Sequence, residues 1–184
     1  MEHATPHLRP VIEIVIQTGM RFEELLSLTW SQVSLDRREV SLTRTKSGTP
    51  RVISLSDGAA ATFVATPRHV TSPHVFREPN TGRRYKSLKN AFRSTCARAG
   101  VRDFRYHDLR HTFASWVVQG GMDLYRLGRI LGHTTTQMTA GYAHLATVDL
   151  HDPVRKVATD LATGAEDWID NRSAMPAQNR SRTL

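Results

Sequence analysis

Cysteine is nearly absent: Cys96 is the one cysteine in 184 residues, so the chain can form neither an internal disulfide nor a cysteine-based zinc cluster. Long apolar runs are missing too. The best, "VIEIVI" at 11–16, carries Glu13 and falls far short of the roughly 18 residues a membrane-spanning helix needs. No signal peptide and no internal repeat is visible. The sequence also lacks a glycine-rich P-loop, an acidic cluster suited to magnesium and any Cys/His zinc pattern. These gaps exclude a disulfide scaffold, a helical membrane protein and the common metal-dependent phosphoryl-transfer enzymes. They predict a cytoplasmic protein without metal or cofactor.

What is present is positive charge. Lys and Arg number 25 against 17 Asp and Glu, a formal net charge of +8. The excess is concentrated: from Arg77 to Arg110 there are ten basic residues (Arg77, Arg83, Arg84, Lys86, Lys89, Arg93, Arg98, Arg102, Arg105 and Arg110) against Glu78, Asp103 and Asp108. A solvated face intersperses both signs, whereas a basic block points to a polyanion such as nucleic acid. The apolar share, 39%, is modest but enough for one core at this length. The closing "AMPAQNRSRTL" reads as a disordered end.

Apolar spacing predicts a helix over 8–17, broken by "TG" at 18–19, then a short helix burying Phe22, Leu25, Leu26 and Leu28. In "EVSLTRTKSGTPRVISLS" the alternation of Val40 and Leu42 and the run Val52, Ile53, Leu55 predict a hairpin with Lys46 near its tip. A third strand is expected around "HVF" or "RRYKS", joined by the "EPNTG" turn. From residue 87 the pattern is helical. Ser87 is a candidate N-cap and Gly100 a candidate stop. Leu109, Phe113, Trp116 and Val117 predict an inward stripe on the next helix, which Gly120 and Gly121 end. Leu124, Leu127, Ile130 and Leu131 predict another, stopped by Gly132, and "TTTQM" opens a last short helix with Tyr142 near its end.

One stretch, "RYHDLRHTFASW" at 105–116, crowds histidine and arginine at a helix amino end, where the helix dipole disfavours each cation by a few tenths to about 1 kcal/mol. Either His107 and Arg110 pair with Asp103 or Asp108, or an anion such as a phosphate is meant to sit there. Other strong polar groups also stand at element boundaries: Arg21, Lys46 and His133. Arginine forks suit the oxygens of a phosphodiester, and histidine adds donors or moves protons.

Four separated stretches, "TGMRFEELLSLTW", "TKSGTPRVISLS", "HDLRHTFASW" and "LGHTTTQMTAGYAH", together resemble the catalytic domain of the tyrosine recombinases, the phage integrase family, over roughly residues 8–148. The resemblance implies an α+β fold, mainly helical with a small antiparallel three-stranded sheet. It makes Arg21 and Arg110 the arginines that clamp the scissile phosphate, with Glu24 supporting the site. Lys46 protonates the departing 5′-oxygen, His107 serves in hydrogen bonding and proton transfer, and His133 takes the second histidine position. Tyr142 is the nucleophile, forming a 3′-phosphotyrosyl bond that conserves the phosphodiester energy, so that neither ATP nor a metal is needed. Arg44, Arg83, Arg84, Lys86, Lys89, Arg93 and His111 are the further candidates for DNA contact, although His111 is read first as a structural hydrogen-bonding residue rather than a catalytic one.

The implied partner is a double-stranded recombination site in the nucleoid, with self-association to a tetramer on DNA for the full-length enzyme. Residues 1–170 are expected to form the catalytic domain and 171–184 a tail. The amino-terminal helical domain usual in the family is not expected in this chain, which makes weak, salt-sensitive DNA binding the expectation. The segment 149–170 is expected to dock on a neighbouring protomer or to fold back. Two rival readings are a type IB topoisomerase-like strand cleaver and a catalytically idle DNA-binding remnant. A third, zinc held by His107 and His111 at i, i+4, lacks the glutamate of the zinc-protease pattern.

Overall fold

The computed structural model describes residues 2–43 and 50–146, all within the compact unit Met1–Thr147. Arg44 and Lys46, and the expected docking segment 149–170 and tail 171–184, lie outside the described residues.

Helix α1 (Arg9–Thr18) begins with Pro10 in its first turn, where a missing N–H costs nothing. It buries Val11, Ile12, Ile14 and Val15 and packs against α3 and α5. Gly19 ends it in the left-handed conformation, φ 63°. A Cβ there would lie 2.4 Å from Phe113 and 2.9 Å from Leu131, so this turn requires glycine on two counts. Helix α2 (Phe22–Leu26) follows, opened by Glu24, whose carboxylate accepts the Arg21 backbone N–H at 2.9 Å.

A three-stranded antiparallel sheet comes next: β1 (Val33–Ser34), β2 (Glu39–Leu42) and β3 (Arg51–Ser54), in that order. Val40 pairs with Ile53 and Leu42 with Arg51. Alternation places Val40, Leu42, Ile53 and Leu55 in the core. The third strand is therefore Val33–Ser34, which corrects the expectation of a strand at "HVF" or "RRYKS". That later region makes isolated bridges only, Thr29 with His74 and Arg77 with Arg84. Its "EPNTG" turn does form, with Gly82 at φ 65° and the Glu78 N–H donating to Arg83. Pro73 and Pro79 have no N–H to donate and stop the ladder from growing.

Helix α3 (Asp57–Ala65) is capped by the Ser56 hydroxyl, which accepts from the Ala59 N–H, and buries Ala59 and Phe63. It was not foreseen, because Val64, on its outer side, is 70% exposed and the segment shows no clear apolar stripe. Helix α4 (Lys89–Arg98) starts two residues after Ser87, whose hydroxyl accepts the Lys89 N–H, and Gly100 follows its end at φ 70°.

Helix α5 (Tyr106–Gln119) buries Leu109, Arg110, Ala114 and Val118, with Phe113 and Val117 half-buried. Trp116 is 58% exposed, correcting the expected inward stripe. The buried arc is rotated because α5 is covered by both α1 and α6, and Arg110 stands in its middle. Tyr125 is 68% exposed. Helix α6 (Leu124–Leu131) is capped by Asp123 and ends at Gly132, φ 64°. Helix α7 (Gln137–Ala140) leads to Tyr142 and a 3₁₀ turn, Ala143–Leu145.

Two apolar clusters result. The larger joins α1–α5 and the sheet. The smaller gathers Ala114, Val118, Leu127 and Leu131, against which the Tyr142 ring packs.

Candidate active site

The carboxyl end of α6 organises the site. A helix leaves its last carbonyls without internal partners and carries negative dipole there, so it attracts cations. Three consecutive carbonyls each receive an arginine: Ile130 from Arg51 Nε at 3.1 Å, Leu131 from Arg110 at 2.7 Å and Gly132 from Arg21 at 2.8 Å. Arg110 also donates to the Gly19 carbonyl at 2.6 Å, tying the left-handed turn after α1 to the one after α6. Neither His107 nor Arg110 pairs with Asp103 or Asp108. Asp108 instead accepts the Arg105 N–H at 2.6 Å and caps α5.

Glu24 is the anion that lets guanidinium groups gather. Its oxygens accept from Arg51 at 2.7 and 2.9 Å and from Arg21 at 3.1 Å. Burial alone would raise its pKa, but the hydrogen bonds and charge of Arg51, with help from Arg21, hold it below the usual carboxylate range. Arg51 is the residue of this candidate site that sequence reasoning missed. It shares the inward face of β3 with Ile53 and Leu55, an unusual place for arginine, and its only sequence signal was its place two residues before Ile53 in that alternation. Arg110 is pressed down to about 10 by burial, then by Arg21 and Arg51, and so remains a cation at neutral pH.

The histidines behave differently. Burial, then Arg110, Arg21 and Arg51, lower the His133 pKa to about 4, so at neutral pH it is an uncharged ring. Its Nδ1 lies 2.8 Å from the buried Thr139 hydroxyl. With that hydroxyl donating, the proton sits on Nε2 and the ring offers a neutral N–H. Partial burial, then His111 and Arg110, lower His107 as well. His107 meets His111 edge-on, ring centroids 4.7 Å apart. Among the described residues no group of three His, Cys, Asp or Glu side chains is arranged to hold a metal.

Tyr142 closes the arrangement. Its backbone is bonded at both ends, to Thr139 and Leu145, and its phenolic oxygen lies 2.5 Å from His111 Nδ1. Burial raises its pKa more than Arg110 lowers it. The other tyrosines stand elsewhere; Tyr106, for example, packs against Phe22 and Phe92 with its pKa raised by burial.

Arg21, Glu24, Arg110, His107, His133 and Tyr142 are thus brought together, with Arg51 and His111 added. Arg83, Arg84, Lys86, Lys89 and Arg93 are exposed along 83–93 and, among the described residues, make no ion pair. Arg83 and Arg84 line a hollow of about 400 Å³ with His74. Arg93 lines another of about 550 Å³ with Arg102 and Arg105.

This helical fold with its small antiparallel sheet is that of the tyrosine recombinase catalytic domains. The catalytic domain of bacteriophage HP1 integrase superposes with a TM-score of 0.66 at 31% identity, over 88% of this chain and 87% of that one. XerA recombinase gives 0.68 at 23% identity, over 82% of this chain and 57% of that one. The family model "Phage integrase family" matches residues 2–148, and the chain belongs to that family. The integrase of Salmonella phage P22 is 27% identical over 94% of this chain and 48% of its own length. That of Escherichia phage 186 is 33% identical over 83% of this chain and 42% of its own. The chain therefore spans less than half the length of these two relatives.

Proposed function

We propose that this chain carries the strand-cutting and strand-joining centre of a site-specific DNA recombinase, with residues 1–170 as its catalytic domain. The observation that carries the reading is the convergence of Arg21, Arg51 and Arg110 on the end of α6, beside His107, His133 and Tyr142. In a site shielded from water, fixed guanidinium groups stabilise the extra negative charge of a pentavalent phosphorane without any reorganisation. On this reading Arg21 and Arg110 clamp the scissile phosphate, His107 and His133 donate to its oxygens, and Glu24 with Arg51 holds Arg21 in place.

Tyr142 Oη attacks phosphorus, the bond from phosphorus to O5′ breaks, and a 3′-phosphotyrosyl link forms. Lys46 gives its proton to the departing 5′-oxygen. The reverse attack by a 5′-hydroxyl restores the strand, with no energy source beyond the preserved phosphodiester. The partner is a double-stranded recombination site, and the full-length enzyme assembles as a tetramer on it. Solved relatives support a DNA partner: XerH is described bound to its difH substrate before and after cleavage, and the Tn1549 integrase in complex with circular intermediate DNA.

The test is a nicked suicide duplex bearing the element's own attachment site. The expected result is a detergent-stable protein–DNA adduct that Tyr142→Phe abolishes. An adduct that persists in Tyr142→Phe overturns the reading, as does none from the wild type.

A further inference from the structure

The Tyr142 phenol needs somewhere to send its proton. Arginines around a phosphate cannot take it, because they remain protonated and have no acceptor. His133 has Nδ1 committed to Thr139, and nothing among the described residues bonds His107 to Tyr142. His111, the residue after Arg110, is the group that touches the phenolic oxygen, through Nδ1 at 2.5 Å. Its ring lies 5.9 Å from the tyrosine ring, inclined by 40°.

The contact is held from both sides. Tyr142 is fixed by its backbone bonds and by the small apolar cluster. His111 rides on α5 one residue from Arg110, which is buried and bonded to two carbonyls. His111 is itself exposed, so the opposite edge of its ring can exchange protons with solvent.

Resting on the recombinase reading, we propose that His111 is a further catalytic residue, the general base that takes the Tyr142 phenolic proton at Nδ1 during attack and returns it during rejoining. The step balances. The Oη–H bond breaks as the bond from Oη to phosphorus forms, and neutral His111 becomes an imidazolium. The bond from phosphorus to O5′ breaks, and O5′ takes its proton from the Lys46 ammonium. Nothing is oxidised or reduced. The imidazolium then stands beside the new phosphotyrosyl oxygen and protonates it when the 5′-hydroxyl attacks.

Two readouts on the full chain test this. The first uses 3-fluorotyrosine-labelled protein and needs no DNA: the ¹⁹F resonance missing from Tyr142→Phe is assigned to Tyr142. It shifts in His111→Ala and stays near its wild-type position in His111→Asn, whose Oδ1 replaces Nδ1 as acceptor. Unmoved resonances of Tyr85, Tyr106 and Tyr125 report an intact fold.

The second measures adduct formation on the nicked suicide duplex, with an ordinary or a 5′-bridging phosphorothiolate linkage at the cut. A thiolate leaves without protonation, so the sulfur substrate relieves the need for an acid and not for a base. A positioned general base contributes about 10²–10⁴-fold. His111→Ala and His111→Asn are therefore both expected to fall by at least about 10²-fold on both substrates. Wild-type rates in His111→Ala overturn the inference, as does wild-type rate in His111→Asn, which would make His111 a positioning residue only. Rescue of His111→Ala by sulfur also overturns it, placing the defect on the leaving-group side. An adduct surviving in Tyr142→Phe instead removes the recombinase reading, while the ¹⁹F result still reports whether His111 holds the phenol.

Discussion

Glu24 is the residue on which the cation pocket balances. It and Arg51 are both buried, 5% and 7% exposed, and removing one partner of such a pair leaves an uncompensated charge at a cost of about 3–5 kcal/mol. Glu24→Ala is accordingly expected to lower stability in urea by that order, and Arg51→Ala to lower both stability and adduct formation. Arg51→Lys cannot reproduce the two bonds to the carboxylate together with the one to Ile130, so an unchanged urea midpoint and rate for that variant would contradict the role given to Arg51. Acid should weaken the fold in two stages. His133 has a folded pKa near 4, below its ordinary 6.5. Its contribution is complete above about pH 6.5 and is lost as pH falls from there towards 4, with His107 acting in the same direction. Glu24, also depressed, contributes fully above pH 4.5 and loses its contribution at lower pH, as it becomes protonated in the fold. Urea midpoints at several pH values check this, and His133→Gln should flatten the first stage.

At the scale of elements, a helix end gathers the cations of the candidate site. The last carbonyls of α6 face three arginines, and Gly132 lets the chain turn away without covering them. A Cβ at Gly132 would lie 2.7–3.1 Å from the Arg51 side chain, and its φ of 64° costs a non-glycine residue about 1–2 kcal/mol. Gly132→Ala should therefore lower stability by roughly that amount and reduce adduct formation further than partial unfolding explains, because Arg51 must move. Equal loss of folded fraction and of activity, measured together, would argue against the linkage. Gly128 has a related function: a Cβ there would come within 3.0 Å of the Thr139 hydroxyl, the group that orients His133.

Across the whole molecule, charge is divided between a buried pocket and an exposed strip. The strip from Arg83 to Arg93 has no anionic partners among the described residues, which suits counterion release on a DNA backbone. Each phosphate contact contributes about 0.9 to the slope of log K against log salt. Replacing Arg83 and Arg84 by Ala should reduce that slope by up to about 2 on a nonspecific duplex, read by fluorescence anisotropy, with little effect on the urea midpoint. A slope unchanged by the pair of substitutions would remove those two residues from the DNA contact surface.

Most helix starts and stops, the hairpin and the candidacy of Arg21, Arg110, His133 and Tyr142 for one site were legible in the residues, because capping groups, glycines and a four-part motif are local signals; α3 was not. The hidden features all depend on distant neighbours. Arg51 reads as an ordinary polar residue until α6 is laid over the sheet and supplies Ile130. Trp116 looks inward by spacing until α1 and α6 rotate the buried arc. The third strand could be placed only once β2 had chosen Val33–Ser34 as its partner. His111 is one more histidine until α7 delivers Tyr142 from 31 residues further along. Sequence by itself determined which chemical groups the chain owns and where most of its helices begin and end, since these are set within a few residues. Tertiary structure alone decided which of those groups share one hollow, because burial and electrostatic balance are sums over segments far apart in the chain.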